Sequence, residues 1–145
     1  MKFLCVQGGT KQQREMVQKV GDYVLHKLLP KHRKVEVVVT LKNLKPEGVE
    51  GWCMEEDDRL FSVEVEKSLG IKEMITCVAH ELVHVKQYTK REMVDFFDRK
   101  AQGRKIRWKK TVYGYGTAYE RQPWEKEAFR MQETLANEIW EKGII

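Results

Sequence analysis

Cysteine is scarce in this chain. Cys5, Cys53 and Cys77 form an odd, widely separated set with no CxxC spacing. That excludes a disulfide framework and a cysteine-only zinc site, and it fits reduced thiols in a cytoplasmic protein. Long apolar runs are missing as well: nothing approaches the ~18 residues of a spanning helix, so no membrane is expected. Near the N-terminus, Lys2 is followed only by Phe3, Leu4, Cys5 and Val6 before Gln7, too short an apolar stretch for a signal peptide. Only three prolines occur, with no internal repeat and no low-complexity segment. Collagen-like and disordered classes are thereby excluded. What remains is 145 residues, 41% hydrophobic and 34% charged, which predicts one globular domain over residues 1–145 with a substantial core.

The net charge of +5 conceals a pattern. Residues 1–34 carry 8 basic and 2 acidic side chains, and residues 35–85 carry 5 and 11. Residues 86–110 carry 10 and 3, and residues 111–145 carry 4 and 6. Two basic blocks flank an acidic middle, which raises the prospect of an anionic partner beside the ordinary reading of solvated lysines.

Hydrophobic spacing predicts the elements. Met16, Val20, Tyr23, Val24 and Leu28 recur at helical intervals over residues 10–29, and Pro30 ends the run. VEVVVTL (residues 35–41) is β-branched and nearly continuous, as in a strand buried on both faces. Residues 42–59 hold Pro46, Gly48, Gly51 and an acidic run, and read as a loop. Residues 60–66 alternate, with Phe61, Val63 and Val65 on one side, as in a half-exposed strand at a sheet edge. Over residues 71–88, Ile71, Met74, Ile75, Val78, Leu82 and Val85 form one apolar stripe, the clearest helix in the chain. Thr89 and Glu92 fit a capping box for a short helix over residues 91–101. A strand or hairpin is expected around Trp108, and Pro123 suits the first position of a last helix running to about residue 142.

The motif that carries chemistry lies in the middle of the best helix. His80-Glu81-Leu82-Val83-His84 is HExxH. Four residues at about 100° each bring His80 and His84 to one face, about one turn apart. Two imidazole nitrogens can then reach one Zn²⁺ at about 2.0–2.1 Å. Glu81 stands about 100° round from His80, beside the metal, where it can take a proton from an activated water. A catalytic zinc needs a third protein ligand and an open position. His26 and His32 both precede the motif and no histidine follows it, so the third ligand is expected to be a carboxylate. The last helix offers two: Glu127, beside the apolar positions Ala128 and Met131, and Glu125 as the alternative.

An HExxH helix followed by a helix opening with a Glu-Ala pair resembles the gluzincin metallopeptidases. HELVHVKQ (residues 80–87) resembles the small intracellular SprT-like and phage or ImmA/IrrE-type zincins. Glu125-Lys126-Glu127-Ala128-Phe129 resembles the ExEA stretch that carries the third ligand in the ImmA/IrrE group. The resemblance covers roughly two thirds of the chain. It implies an α+β, minimal zincin-like fold: a small, mostly antiparallel sheet packed on the HExxH helix and a C-terminal ligand helix. It also implies a zinc-dependent hydrolase acting on a peptide or protein substrate.

Peptide hydrolysis further needs a donor for the developing oxyanion. Tyr113, Tyr115 and Tyr119 cluster in TVYGYGTAY before the last helix, with Arg121 as a cationic alternative. The 60–66 strand could pair with an extended substrate. Cys77, three residues before His80, reads as a small buried packing residue. RKAQGRKIRWKK (residues 99–110) mixes basic residues with Trp108, as a nucleic-acid surface does, which makes a DNA-associated protease an alternative. A non-catalytic zincin fold that only binds zinc is the other.

Overall fold

A computed structural model describes residues 2–145. It is α+β. In chain order the elements are β1 (Lys2–Gly8), α1 (Lys11–Leu28), β2 (Val35–Lys42), β3 (Gly51–Asp57), β4 (Leu60–Glu66), α2 (Ile71–Thr89), β5 (Met93–Asp98), β6 (Gly103–Trp108), β7 (Thr111–Gly114) and α3 (Pro123–Glu141), with short 3₁₀ turns at Lys45–Glu47 and Tyr119–Arg121.

Two sheets form. The larger has the order β1-β2-β4-β3, in which β1–β2 and β2–β4 are parallel and β3–β4 antiparallel. The smaller, β5-β6-β7, is antiparallel throughout. Along β2, Val35, Val37, Val39 and Leu41 are buried while Glu36 is exposed. The strand is therefore covered on one face, not on both as its β-branched run suggests, because both α1 and α2 pack on the same side. Phe61, Val63 and Val65 of β4 continue that face and complete a core with Val17, Val20 and Val24 of α1.

Three further segments differ from the sequence expectation. Residues 51–57 are a strand, although glycine and an acidic run suggested a loop; pairing with β4 supplies the backbone hydrogen bonds that local propensity does not favour. As β3 takes the edge, β4 becomes an interior strand. Residues 93–98 are β5 and not a helix: the backbone N–H of Glu92 bonds the carbonyl of Gln87, and Arg91 turns the chain with φ 59°. Val94, Phe96 and Phe97 are better strand than helix formers, and register with β6 settles the matter.

Helix α2 sits between the large sheet, α1 and α3, and is buried almost all round from Met74 to Gln87. Ile71, at its first turn, is exposed despite belonging to the apolar stripe. Helix α3 packs alongside α2, with Ala128, Leu135, Ala136 and Ile139 toward the core. The small sheet closes over one end of this pair through Met93, Trp108 and Trp124. No helix among the described residues is long and apolar enough to cross a membrane.

Candidate metal centre

The HExxH segment lies on the face of α2 that looks between the edge strand β3 and helix α3. A cleft of about 840 Å³ opens there, and His80, Glu81 and His84 line it. Ligand atoms of these three side chains lie within 4.8 Å of one another, so the group can hold a metal ion. The imidazoles meet edge to face, with ring centroids 5.0 Å apart.

Glu125 is the carboxylate that reaches them. Its Oε1 lies 2.9 Å from His80 Nε2 and its Oε2 lies 3.3 Å from His84 Nε2. Glu127, the residue first expected in this role, points elsewhere: it accepts from Lys86 Nζ at 2.7 Å and from Gln87 Nε2 at 3.1 Å. Lys86 also pairs with Glu92 at 2.8 Å. The cause is rotational. Glu127 stands two residues, about 200°, beyond Glu125, so the two carboxylates leave α3 on opposite sides. Glu125, Phe129 and Gln132 share the face toward His80, at i, i+4 and i+7, and the Phe129 ring lies 4.9 Å from the His80 ring. Gln132, seven residues after Glu125, is the sequence signal that separates the two glutamates.

The other nitrogen of each imidazole is held by a glutamine. His80 Nδ1 is 2.7 Å from Gln132 Oε1, and His84 Nδ1 is 2.8 Å from Gln87 Oε1. Gln87 is fully buried, and its amide nitrogen donates to the Trp124 carbonyl at 2.9 Å and to Glu127. With the nitrogen committed to two acceptors, only the amide oxygen can face His84. His84 Nδ1 must therefore carry the proton and donate it. Gln132 Nε2 donates to Glu133 at 3.3 Å, which orients its oxygen toward His80 in the same way. A neutral ring so held is the Nδ1–H tautomer, with its Nε2 lone pair aimed at the Glu125 carboxylate, whereas a protonated ring also donates from Nε2 to that carboxylate. Two lone pairs and an anion facing one another require a cation among them, either protons on the rings or a metal. The donor chemistry fits a metal.

Electrostatics of the free site agree. Burial alone would raise the Glu125 carboxyl, but hydrogen bonds from His80 and His84 hold it well below the usual range. Burial would lower His84, and the Glu125 partner reverses this and raises it. Glu81, 6% exposed, is raised chiefly by burial, with His84 and His80 opposing.

Of the three tyrosines, one is at the site. The Tyr119 hydroxyl donates to Glu125 at 3.3 Å and lines the cleft; burial first, then the Glu125 charge, pushes it up to about 12. Tyr113 instead packs edge-on against Trp124, and Tyr115 donates to Asp95 on the small sheet. Arg121 is exposed on the turn before α3. Cys77 is buried and lines the cleft, its thiol donating to the Glu50 carbonyl at 3.5 Å.

The fold and site together define a small α+β protein with a helix-borne His-Glu-His group able to bind a metal. No family model matches the chain, and neither the curated proteins nor the solved structures contain a significant match.

Proposed function

We propose that the chain is a zinc-dependent metallopeptidase hydrolysing peptide bonds in protein or peptide substrates. One observation carries the reading: two Nε2 lone pairs and the Glu125 carboxylate converge, with both ring protons tied to glutamines on the far side. Two nitrogens and one oxygen make the donor set of a catalytic zinc, with a position left open. The likeness of HExxH and the downstream ExEA stretch to gluzincin peptidases points the same way.

A zinc ion held by His80, His84 and Glu125 would supply Lewis acidity toward a water and toward the scissile carbonyl. Glu81 takes the water's proton on its carboxylate and returns it to the leaving amine. Its burial raises its affinity for that proton, which suits a group that must accept and then release it. Tyr119 offers its hydroxyl to the carbonyl oxygen as charge develops there. A purely structural metal has no use for a buried carboxylate beside the two histidines, which favours catalysis over the binding-only alternative.

Glu81→Gln tests the reading, because it preserves side-chain volume while removing the proton acceptor. Zinc content should stay at about one equivalent per chain, and cleavage of unfolded protein substrates should fall by 10²–10⁴, on the order of what a positioned general base contributes. Undiminished cleavage would sink the role of Glu81. Full zinc loading in a wild type that cleaves nothing across a broad panel would leave a binding protein.

A further inference from the structure

The cleft follows α2 for most of its length. Lys72, Thr76, His80, His84 and Tyr88 line it at four-residue steps, so it spans sixteen residues of helix, about 24 Å. That length accommodates roughly seven residues of extended chain. Residues 49–53, leading into edge strand β3, whose side away from β4 has no strand partner, form one wall, and α3 forms the other. The metal group lies midway.

The two ends differ in chemistry. Toward the start of α2 the lining is charged: Glu50, Glu73 and Glu133 against a single cation, Lys72, all four exposed. The Cys77 thiol bonds the Glu50 carbonyl, and α3 runs antiparallel to α2, with Gln132 at His80 and Ala136 and Asn137 beside Lys72, so Glu133 lies from the metal group toward the start of α2. Toward the end of α2 the lining is Tyr88, Met93, Ile106 and Trp124. Met93 and Ile106 come from the small sheet, whose inner face packs on Trp124 and Tyr88. None of these four lining side chains is charged; Asp95, opposite Ile106 on the small sheet, is engaged by the Tyr115 hydroxyl and by Arg104.

Resting on the peptidase reading for its kind of occupant, we infer that this groove selects extended peptides with basic residues on one side of the scissile bond and a bulky apolar residue on the other. Edge-strand pairing with β3 supplies affinity without regard to sequence, because it uses main-chain groups. The end groups supply the choice. The acidic end repels acidic side chains and attracts lysine or arginine. The apolar end gains from covering a Leu or Phe side chain and loses where a charge must shed its water. The small sheet between the HExxH helix and α3 thereby acquires a role: it builds the apolar end.

The test is binding of fluorescein-labelled heptapeptides to zinc-loaded Glu81→Gln, which separates recognition from turnover. A peptide with two lysines at one end and leucine at the other should bind about tenfold more tightly than its glutamate counterpart, as two or three exposed ion pairs allow. That margin should shrink with added salt. Leucine to alanine in the peptide should cost about tenfold. Charge reversal at two exposed positions, Glu73→Lys with Glu133→Lys, should abolish the preference for lysine and keep that for leucine. Ile106→Glu should do the opposite. Equal binding of lysine and glutamate peptides, unchanged preferences in these variants, or no peptide binding would overturn the inference. Selective binding by a protein whose wild type cleaves nothing would leave the groove standing and remove the peptidase reading; cleavage without preference would do the reverse.

Discussion

At the scale of single residues, Glu125 and Glu127 make the sharpest contrast. Both are glutamates in the first turns of α3, yet one faces two imidazoles and the other a buried lysine. Glu125→Ala should lose tight zinc binding, and with it any rise in unfolding temperature on adding zinc. Glu127→Ala should keep the zinc response but lose about 1–3 kcal/mol of stability, since Lys86 and Gln87 each give up a partner in a largely buried setting. Zinc titration and thermal unfolding of the two variants side by side decide the matter; a zinc response lost only in Glu127→Ala would reverse the assignment. Gln132 is the second informative residue. It touches no metal, but it fixes which nitrogen of His80 carries the proton. Gln132→Leu should lower zinc affinity by about 10–100-fold, the usual cost of losing such an orienting partner, while leaving the metal-free protein's unfolding temperature nearly unchanged. A drop in metal-free stability with undiminished affinity would make Gln132 a packing residue only.

At the scale of elements, the centre depends on how α3 is held against α2 and α1. Glu138 on α3 is one clamp: its carboxylate accepts from Tyr23 and Lys27 on α1, and Lys142 lies 3.2 Å away. The Lys27 hydrogen bond first, then that from Tyr23, lowers the Glu138 carboxyl from 4.5 to about 2. A carboxyl depressed in the folded state stabilises above its unfolded value and loses that contribution as pH falls through its folded value. The stability gap between wild type and Glu138→Gln should therefore be full above about pH 5 and close between roughly pH 4.5 and 2. Chemical unfolding measured across that window checks it. A gap that persisted at pH 2 would mean that shape, not charge, joins α1 to α3.

At the scale of the whole molecule, the basic strip of residues 99–110 lies on the small sheet. Among the described residues, only Arg104 and Lys105 of this strip form ion pairs, with Asp95 and Asp98, leaving Arg99, Lys100, Arg107, Lys109 and Lys110 exposed and outside any ion pair. Lys109 sits over the Trp108 ring at 5.2 Å. This favours, as a second reading, a protease held near DNA by the same sheet that closes the cleft. Its signature is salt dependence: four or five engaged cations should give a log–log slope of about −4, flattened by neutralising Arg104, Arg107, Lys109 and Lys110 together. No retention on duplex DNA at low salt would remove that reading.

Much of this was legible in the chain itself. The three long helices, the β2 and β4 strands and the β6–β7 hairpin follow from apolar spacing, because a helix or strand with one buried face must repeat its hydrophobic residues at that element's own period. Helical geometry alone puts His80 and His84 on one face with Glu81 about 100° round beside them, and the lack of any later histidine directs attention to the carboxylates of α3. Whatever depends on two elements meeting was decided by the tertiary structure. Strand β3 exists because β4 offers it partners, although its glycine and acidic run read as a loop; in β5 the strand-forming Val94, Phe96 and Phe97 prevail over a helix once β6 offers its register. The choice of Glu125 over Glu127 turns on the rotation of α3 about its axis, set by Ala128, Leu135 and Ile139 seating against α2. That same rotation brings Gln132 to His80 and leaves Gln87 to hold His84. Local periodicity says which face of a helix is buried, but only packing against a second element says which polar atoms on the flanking faces will meet.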